Sequence, residues 1–347
     1  MSAHPPVAGV QTHLKKNHEQ KIKRHGETMK ISLNQTVECL QNAQDILIIP
    51  HKNPDGDTVG ASFALYYSLK RMDKRVQVVC HDLLPEKYYY MYSEYVKDND
   101  FTPQYIISVD TADVTLFGEN LVKYADKTDL SIDHHITNKL YAKKTYLASS
   151  AAATCEAVYD LLIRLGTKID NLIADCLYTG IVTDTGCFKF NSTTANTHIV
   201  AARLFECGAN YDMINREMFD NKSKARIHLE SMVLKSIEFY YNDKVALIVI
   251  TKEMVEKTGA DQAVFDGISG VTKQIEGVDV GITIRQIEGN EYKISFRTSE
   301  RINAFSLADI FGGGGHVRAA GCTQNGTIEN VKKKILEAVK EKLTPYL

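Results

Sequence analysis

Short apolar runs alternate with helical stretches through the first half of this 347-residue chain, which leaves few architectures open to it. Ile46–Ile49 is an apolar run that stops at Pro50, and a helical period follows over Thr58–Arg71. Arg75–Cys80, Tyr105–Val109 and Leu130–Ile132 are further strand-like runs, with helical periods at Ala152–Leu165 and Asn171–Ile181. Such alternation predicts an α/β domain whose mostly parallel sheet is flanked by helices. The length and the 44% hydrophobic content suit two cores better than one.

After Phe190 the pattern turns helical, at Thr194–Cys207, Met213–Phe219 and Lys222–Tyr240. Strand signals resume at Val245–Ile250, then at Val280–Gln286 and Tyr292–Arg297 around a Glu288-Gly289-Asn290 turn. Ile282, Ile284, Ile294 and Phe296 alternate with polar residues, so Arg285 and Arg297 are expected on the opposite face. A helix over Ser306–Phe311 runs into four glycines, and a last helix covers Ile328–Leu343. The expected organisation is a first α/β domain over residues 29–192, a helical connector over 193–242 and a smaller α/β domain with a mixed sheet over 243–347. Residues 1–28, basic at Lys15, Lys16, Lys21, Lys23 and Arg24, show no apolar period and read as a disordered extension or leader.

Lys and Arg total 41 and Asp and Glu 43, for a net charge of -2. A protein that holds long nucleic acid gains much of its affinity from a basic surplus, so this balance points to short substrates and away from long duplex DNA. The seven cysteines include no C-x-x-C pair, which argues against a zinc ribbon or a disulfide framework and fits a reducing cytoplasm. No apolar run approaches the roughly 20 residues that span a bilayer. Whether the chain forms a homodimer is open.

Four separated segments place metal-binding side chains just past a strand or helix. His51, Asp55 and Asp57 follow Ile46–Pro50, and Asp110 follows Tyr105–Val109. Asp133-His134-His135 follow Leu130–Ile132, and Asp184 follows the helix expected to end near Ile181. In an open parallel sheet the loops at the carboxyl ends of the strands converge on one crevice. Two like charges 4 Å apart cost about 4 kcal/mol at an effective dielectric near 20, so gathered carboxylates need cations between them. Mixed oxygen and imidazole ligands without thiolate favour a pair of octahedral divalent ions, Mn²⁺ first, with Co²⁺, Fe²⁺ or Mg²⁺ as alternatives. Gly56 permits a tight turn, so Asp55 and Asp57 can address different ions. Such a pair clamps a phosphoryl group and activates a bridging water for in-line attack. Taken singly, Asp-Gly-Asp is usually a turn and His-His usually surface; four such motifs in order are hard to produce by turn chemistry.

At these residues the chain resembles the DHH phosphoesterase family. The stretches that carry the resemblance are HKNPDGDTVGA (51–61), SVDTAD (108–113), IDHH (132–135), TGIVTDTGCFKF (179–190) and FGGGGHVRAAG (311–321). The last is similar to the signature of the DHHA1 substrate-binding domain. The resemblance implies one ion on His51, Asp55 and Asp110 and another on Asp57, Asp110, His134 and Asp184, with Asp110 bridging. It implies a catalytic set of His135, Asp110 and Asp133, with His135 facing the substrate and Asp133 orienting a histidine. Gly313, Gly314, Gly315, His316, Arg318 and Arg297 would hold the substrate's far end. The family often has Lys-Asn after the glycines and histidine, where this chain has Val317-Arg318.

The implied branch is the nano-RNase (oligoribonuclease) and pAp phosphatase one, which acts on RNAs of two to five nucleotides and on 3′-phosphoadenosine 5′-phosphate. A cyclic-dinucleotide or linear pApA phosphodiesterase on the same scaffold is the alternative, and a non-catalytic metal-bound RNA-binding protein a distant one. Tyr88, Tyr89, Tyr90, Tyr92 and Tyr95 form a cluster that reads as helix packing ahead of base stacking.

Overall fold

The computed structural model of the protein describes residues 28–260 and 268–346. The extension expected over residues 1–28 lies, Thr28 aside, outside them. The chain forms two compact units, one reaching Asp220 and the other starting at Asn221.

The first unit is built on six strands: β1 (Met29–Lys30), β2 (Ile46–Pro50), β3 (Val76–Val78), β4 (Tyr105–Val109), β5 (Leu130–Asp133) and β6 (Lys144–Leu147). They lie in the order β1-β6-β5-β4-β2-β3 and every pairing is parallel. From β2 the chain adds β3 on one side and then returns to add β4 on the other. The strand order therefore reverses between β2 and β4, and their carboxyl ends flank the crevice where α/β sheets bind ligands. Both faces of β2, β4 and β5 are buried, which explains why they read as unbroken apolar runs. Ile46, Ile48, Ile107 and Ile132 face a large core under the helices, while Leu47, Ile49 and Ile106 pack with Phe117 and Leu121 on the other face. There the cover is the 3-10 turns Val114–Phe117 and Val122–Lys127.

The helices of this unit are α1 (Leu33–Asn42), α2 (Gly56–Arg71), the single turn α3 (Tyr89–Tyr92), α4 (Thr154–Arg164), α5 (Asn171–Asp184), α6 (Ala195–Glu206) and α7 (Tyr211–Asn215). Ser32 and Gln35 form a capping box on α1, and Asp170 caps α5. Helix α2 is buried from Gly56 to Leu69 and is the central helix of the core. It crosses α5 where a Cβ on Gly60 would lie 2.2 Å from the carbonyl oxygen of Cys176. Most of the tyrosine cluster packs as expected, with Tyr92 and Tyr95 5.7 and 5.6 Å from Phe63 between ring centroids and Tyr88 buried, while Tyr89 is exposed.

Two expectations need correction. Helix α5 runs on to Asp184, so this residue sits in the last helical turn and not in a loop beyond Ile181. The Thr183 and Thr185 hydroxyls donate to Thr179 O (2.9 Å) and Ile181 O (2.6 Å), which accommodates β-branched residues in that turn. The helix expected over Lys222–Tyr240 stops early: α8 covers Lys224–Lys235, and Glu238–Tyr240 is strand β7. Tyr241, Asn242 and Asp243 all take positive φ and turn β7 back onto the next strand. The helical stretch expected as a connector is shared, with α6, α7 and the π-turn Arg216–Asp220 in the first unit and α8 in the second.

The second unit continues with β8 (Val245–Ile250), α9 (Lys252–Thr258), α10 (Ile268–Val271), β9 (Val280–Glu288), β10 (Glu291–Thr298), α11 (Ala304–Asp309), β11 (Gly314–Gly315), β12 (Ala319–Asn325) and α12 (Ile328–Leu343). Its sheet is mixed, ordered β11-β12-β10-β9-β8-β7, with only β8 and β9 parallel. Ile282, Ile284, Ile294 and Phe296 are fully buried beside residues of α11 and α12. Arg285 pairs with Lys293 and Arg297 with Gly281 on the other face, as the alternation predicts. Among the described residues no helix is long and apolar enough to cross a membrane.

Candidate active site

Each candidate ligand sits where the sheet or a helix ends. His51 follows β2, and its Nδ1 lies 2.7 Å from the carbonyl oxygen of Lys52, so the ring presents Nε2. That Nε2 stands 3.5 Å from Asp110 Oδ2 and 3.6 Å from Asp55 Oδ1. Asp55 caps α2, accepting from the Asp57 and Thr58 backbone N–H groups at 3.1 Å each. Gly56 keeps this turn tight, since a Cβ there would lie 2.4 Å from the Thr183 hydroxyl. Asp57 lies fully buried in the first turn of α2.

Asp110 follows β4 with φ of 56°, a left-handed conformation that costs a non-glycine residue about 1–2 kcal/mol. Asn53 and the Cys187-Phe188 pair also take positive φ, so three of the four site segments hold strained backbone. Strain of this kind collects where surrounding structure over-determines a functional geometry. Asp110 turns Oδ2 to His51 and Oδ1 to His134, whose Nε2 is 3.8 Å away. Asp184 Oδ2 approaches the same Nε2 at 3.3 Å.

Three trios place one ligating atom from each member within 4.8 Å of the others: His51-Asp55-Asp110, Asp57-His134-Asp184 and Asp110-His134-His135. All six ligands expected from the sequence are therefore brought together, and Asp110 belongs to two trios. The first trio has the members of one expected set, and the second has those of the other without Asp110, whose Oδ1 lies 3.8 Å from His134 Nε2.

The electrostatics fit cations. Burial, with Asp57, Asp110 and Asp55 nearby, pushes Asp184 up to about 10. Burial and the Asp110 and Asp55 charges likewise drive Asp57 well above the usual carboxylate range. Burial works against a charged His51, yet Asp110 and Asp55 carry it up to about 11. His134 Nε2 is buried without a hydrogen-bond partner, while its Nδ1 is engaged at 3.2 Å by the carbonyl oxygen of Ala151. An unpartnered imidazole nitrogen among carboxylates, its other nitrogen on a backbone carbonyl, is the arrangement of a metal ligand.

Asp133 and His135 occupy a different position. Asp133 is fully buried and belongs to none of the trios. Its Oδ1 accepts from the backbone N–H groups of His134 (2.8 Å) and His135 (3.1 Å) and lies 2.8 Å from His135 Nδ1. Asn138 Nδ2 donates to the other oxygen at 2.5 Å. The sequence reading passes over Asn138, since nothing in an Ile-Thr-Asn turn marks it as a partner of Asp133. The bond to Asp133 pushes His135 up to about 9 although burial opposes it, and the side chain remains 42% exposed.

In the second unit the four glycines form a built turn and not a flexible linker. A Cβ on Gly313 would lie 2.2 Å from the carbonyl oxygen of Gly321, and Gly315 takes φ of 137°. The N–H groups of Gly312, Gly313 and His316 donate to Asp309 O, Ala308 O and Ala319 O, so they are used within the loop. His316 is exposed. Arg318 donates to Ser299 O (2.5 Å) and Ile302 O (3.2 Å), which ties the loop to the segment after β10. Arg297 is half-buried, donates to Phe296 O at 3.1 Å, and sits on β10 opposite Ala319 of β12.

Comparison with known proteins follows these two units. The N-terminal domain of the DHH family matches residues 45–181 and the DHHA1 domain matches residues 242–344. The bifunctional oligoribonuclease and PAP phosphatase NrnA of Thermus thermophilus is 32% identical over 304 residues, covering 86% of this chain and 90% of that protein. The protein of the same name from Bacillus subtilis is 24% identical, covering 85% and 93%. The crystal structure of an exopolyphosphatase-related protein from Bacteroides fragilis superposes with a TM-score of 0.81 at 28% identity, covering 90% of this chain and 96% of that one. With both domains matched and the acidic, imidazole-lined crevice in place, the chain belongs to the DHH/DHHA1 family of phosphoesterases.

Proposed function

We propose that this protein hydrolyses very short oligoribonucleotides, of two to five nucleotides, and removes the 3′-phosphate of pAp. The observation that carries the reading is the gathering of Asp55, Asp57, Asp110 and Asp184 with His51 and His134 around one shared carboxylate. Its support is the likeness, over most of both chains, to relatives named as oligoribonucleases and PAP phosphatases.

His51, Asp55 and Asp110 Oδ2 would hold one divalent cation, and Asp57, His134, Asp184 and Asp110 Oδ1 a second, with Mn²⁺ the first candidate. The chemistry the cations would supply is polarisation of the phosphoryl oxygens and activation of a water for in-line attack. His135, charged at neutral pH through its bond to Asp133, faces the negative charge that develops on the phosphoryl group. Buried Asp133, held by Asn138 and two backbone N–H groups, fixes the orientation of that ring. In the second unit, Arg297, His316 and Arg318, set around the Gly313–Gly315 turn, would take an anionic group of the substrate, with the Gly313 N–H already bonded to Ala308 O. Arg318 acts in part by holding the loop, given its bonds to Ser299 and Ile302.

The test is a panel of pAp, pApA, dinucleotides, five-mers and a long single strand, incubated with Mn²⁺ and read by chromatography. Turnover should be concentrated on pAp and the shortest RNAs and vanish in Asp184→Ala. Equal rates on a dinucleotide and a long strand would reject the short-substrate reading. Unchanged turnover in Asp184→Ala would reject the metal centre.

A further inference from the structure

We propose that Thr154, at the amino end of α4, is a positioning residue that holds Asp110 in its bridging orientation. This role rests on the metal-site reading above. A carboxylate that serves two ligand sets must keep each oxygen on its own side, because rotation about the Cβ–Cγ bond would turn both oxygens away together. Asp110 shows the required orientation, with Oδ2 toward His51 and Oδ1 toward His134. The Thr154 hydroxyl donates to Oδ1 at 2.8 Å. A carboxylate only accepts hydrogen bonds, so the hydroxyl proton is committed to that oxygen.

Thr154 is itself held rigidly. It is fully buried. The residue before it, Ala153, occupies the N-cap and has no capping side chain. The cap is supplied from another helix by Asp57, which accepts from the Thr154 N–H (Oδ2, 2.6 Å) and the Cys155 N–H (Oδ1, 2.8 Å). One residue thus contacts a carboxylate from each expected ligand set. Its neighbour Glu156, 3% exposed, accepts from Ala152 N (3.1 Å) and Thr197 Oγ1 (3.0 Å), and from Asn196 Nδ2 (2.6 Å). These bonds latch the start of α4 to the start of α6, an element that carries none of the candidate ligands. The hydroxyl therefore hangs from a fixed support and not from a mobile loop.

Groups that orient metal ligands typically contribute 10- to 100-fold to metal affinity. The experiment is calorimetric titration of metal-free protein with Mn²⁺, alongside hydrolysis of a dinucleotide as Mn²⁺ is raised. Thr154→Val keeps the side-chain shape and removes the hydroxyl, so Mn²⁺ affinity should fall 10- to 100-fold with the circular dichroism unchanged. Turnover should recover toward wild type at high Mn²⁺. Thr154→Ser keeps the hydroxyl and should bind within a few-fold of wild type. Thr154→Ala carries the same expectation as valine should the valine variant fold poorly. Wild-type affinity in the valine or alanine variant overturns the role, as does a serine variant as weak as valine. A wild-type protein that takes up no Mn²⁺ overturns the metal-site reading and this role with it.

Discussion

Gly60 sits where α2, which carries Asp57, crosses α5, which carries Asp184, and Gly60→Ala perturbs both packing and the site. A Cβ there would lie 2.2 Å from the backbone oxygen of Cys176 and 3.0 Å from the Cys155 sulfur. Carbon and oxygen need about 3.3 Å, so the helices must part by roughly 1 Å. The close partner is backbone and cannot swing aside. Overpacking of this kind costs about 1–3 kcal/mol, while alanine gains about 1 kcal/mol of helix propensity over glycine. The expected net loss is up to about 2 kcal/mol, or a drop of roughly 4–8 °C in melting temperature for a unit of this size. Displacement of about 1 Å between reacting groups costs on the order of 100-fold in rate. Because Asp57 and Asp184 would no longer address the same point, turnover at saturating Mn²⁺ should fall by about that factor. Urea unfolding and dinucleotide hydrolysis on one preparation provide both numbers. A variant more stable than wild type with full turnover would refute the reasoning, since propensity alone would then govern the position.

Mn²⁺ at about 100 times its dissociation constant should stabilise the protein by about 2.7 kcal/mol, roughly 5–11 °C of melting temperature, reversed by chelation. A shift below about 1 °C would speak against cations neutralising these carboxylates. Replacing Arg297 by Gln removes a half-buried cation that, among the described residues, donates to a backbone carbonyl in its own strand. A charged hydrogen bond contributes about 1.5–3 kcal/mol, so KM for pAp should rise about 10- to 150-fold with kcat nearly unchanged, and steady-state kinetics would show a kcat effect instead if Arg297 served the chemical step.

The central strands β2, β4 and β5 are legible because burial on both faces makes them unbroken apolar runs, and five of the six candidate ligands stand out because they follow such a run, while Asp184 closes helix α5. What stayed hidden lacks that contrast. β12 is written as Ala-Ala-Gly-Cys-Thr-Gln-Asn, small residues that pack on β10 without strand-like bulk. β6 has four residues and β1 two, too few for a period, yet pairing with β5 and with each other defines them. Glu238-Phe239-Tyr240 extends the apolar spacing of α8, so β7 reads as helix, and its pairing to β8 decides otherwise. Within the site, Asn138 and Thr154 escaped for a different reason. Their roles come from what lies opposite them in space, Asp133 and Asp110, and neither pairing leaves a mark on the local sequence. Arg318 also ties its loop down, through bonds to Ser299 and Ile302 that join segments no spacing rule connects.

The most direct test of the shared-carboxylate centre is anomalous diffraction from crystals grown with Mn²⁺. Two peaks roughly 3.5–4 Å apart are expected, one against His51 and Asp55, the other against Asp57, His134 and Asp184, with Asp110 touching both. A well-ordered crystal at saturating Mn²⁺ with a single peak, or with none between these side chains, would contradict it.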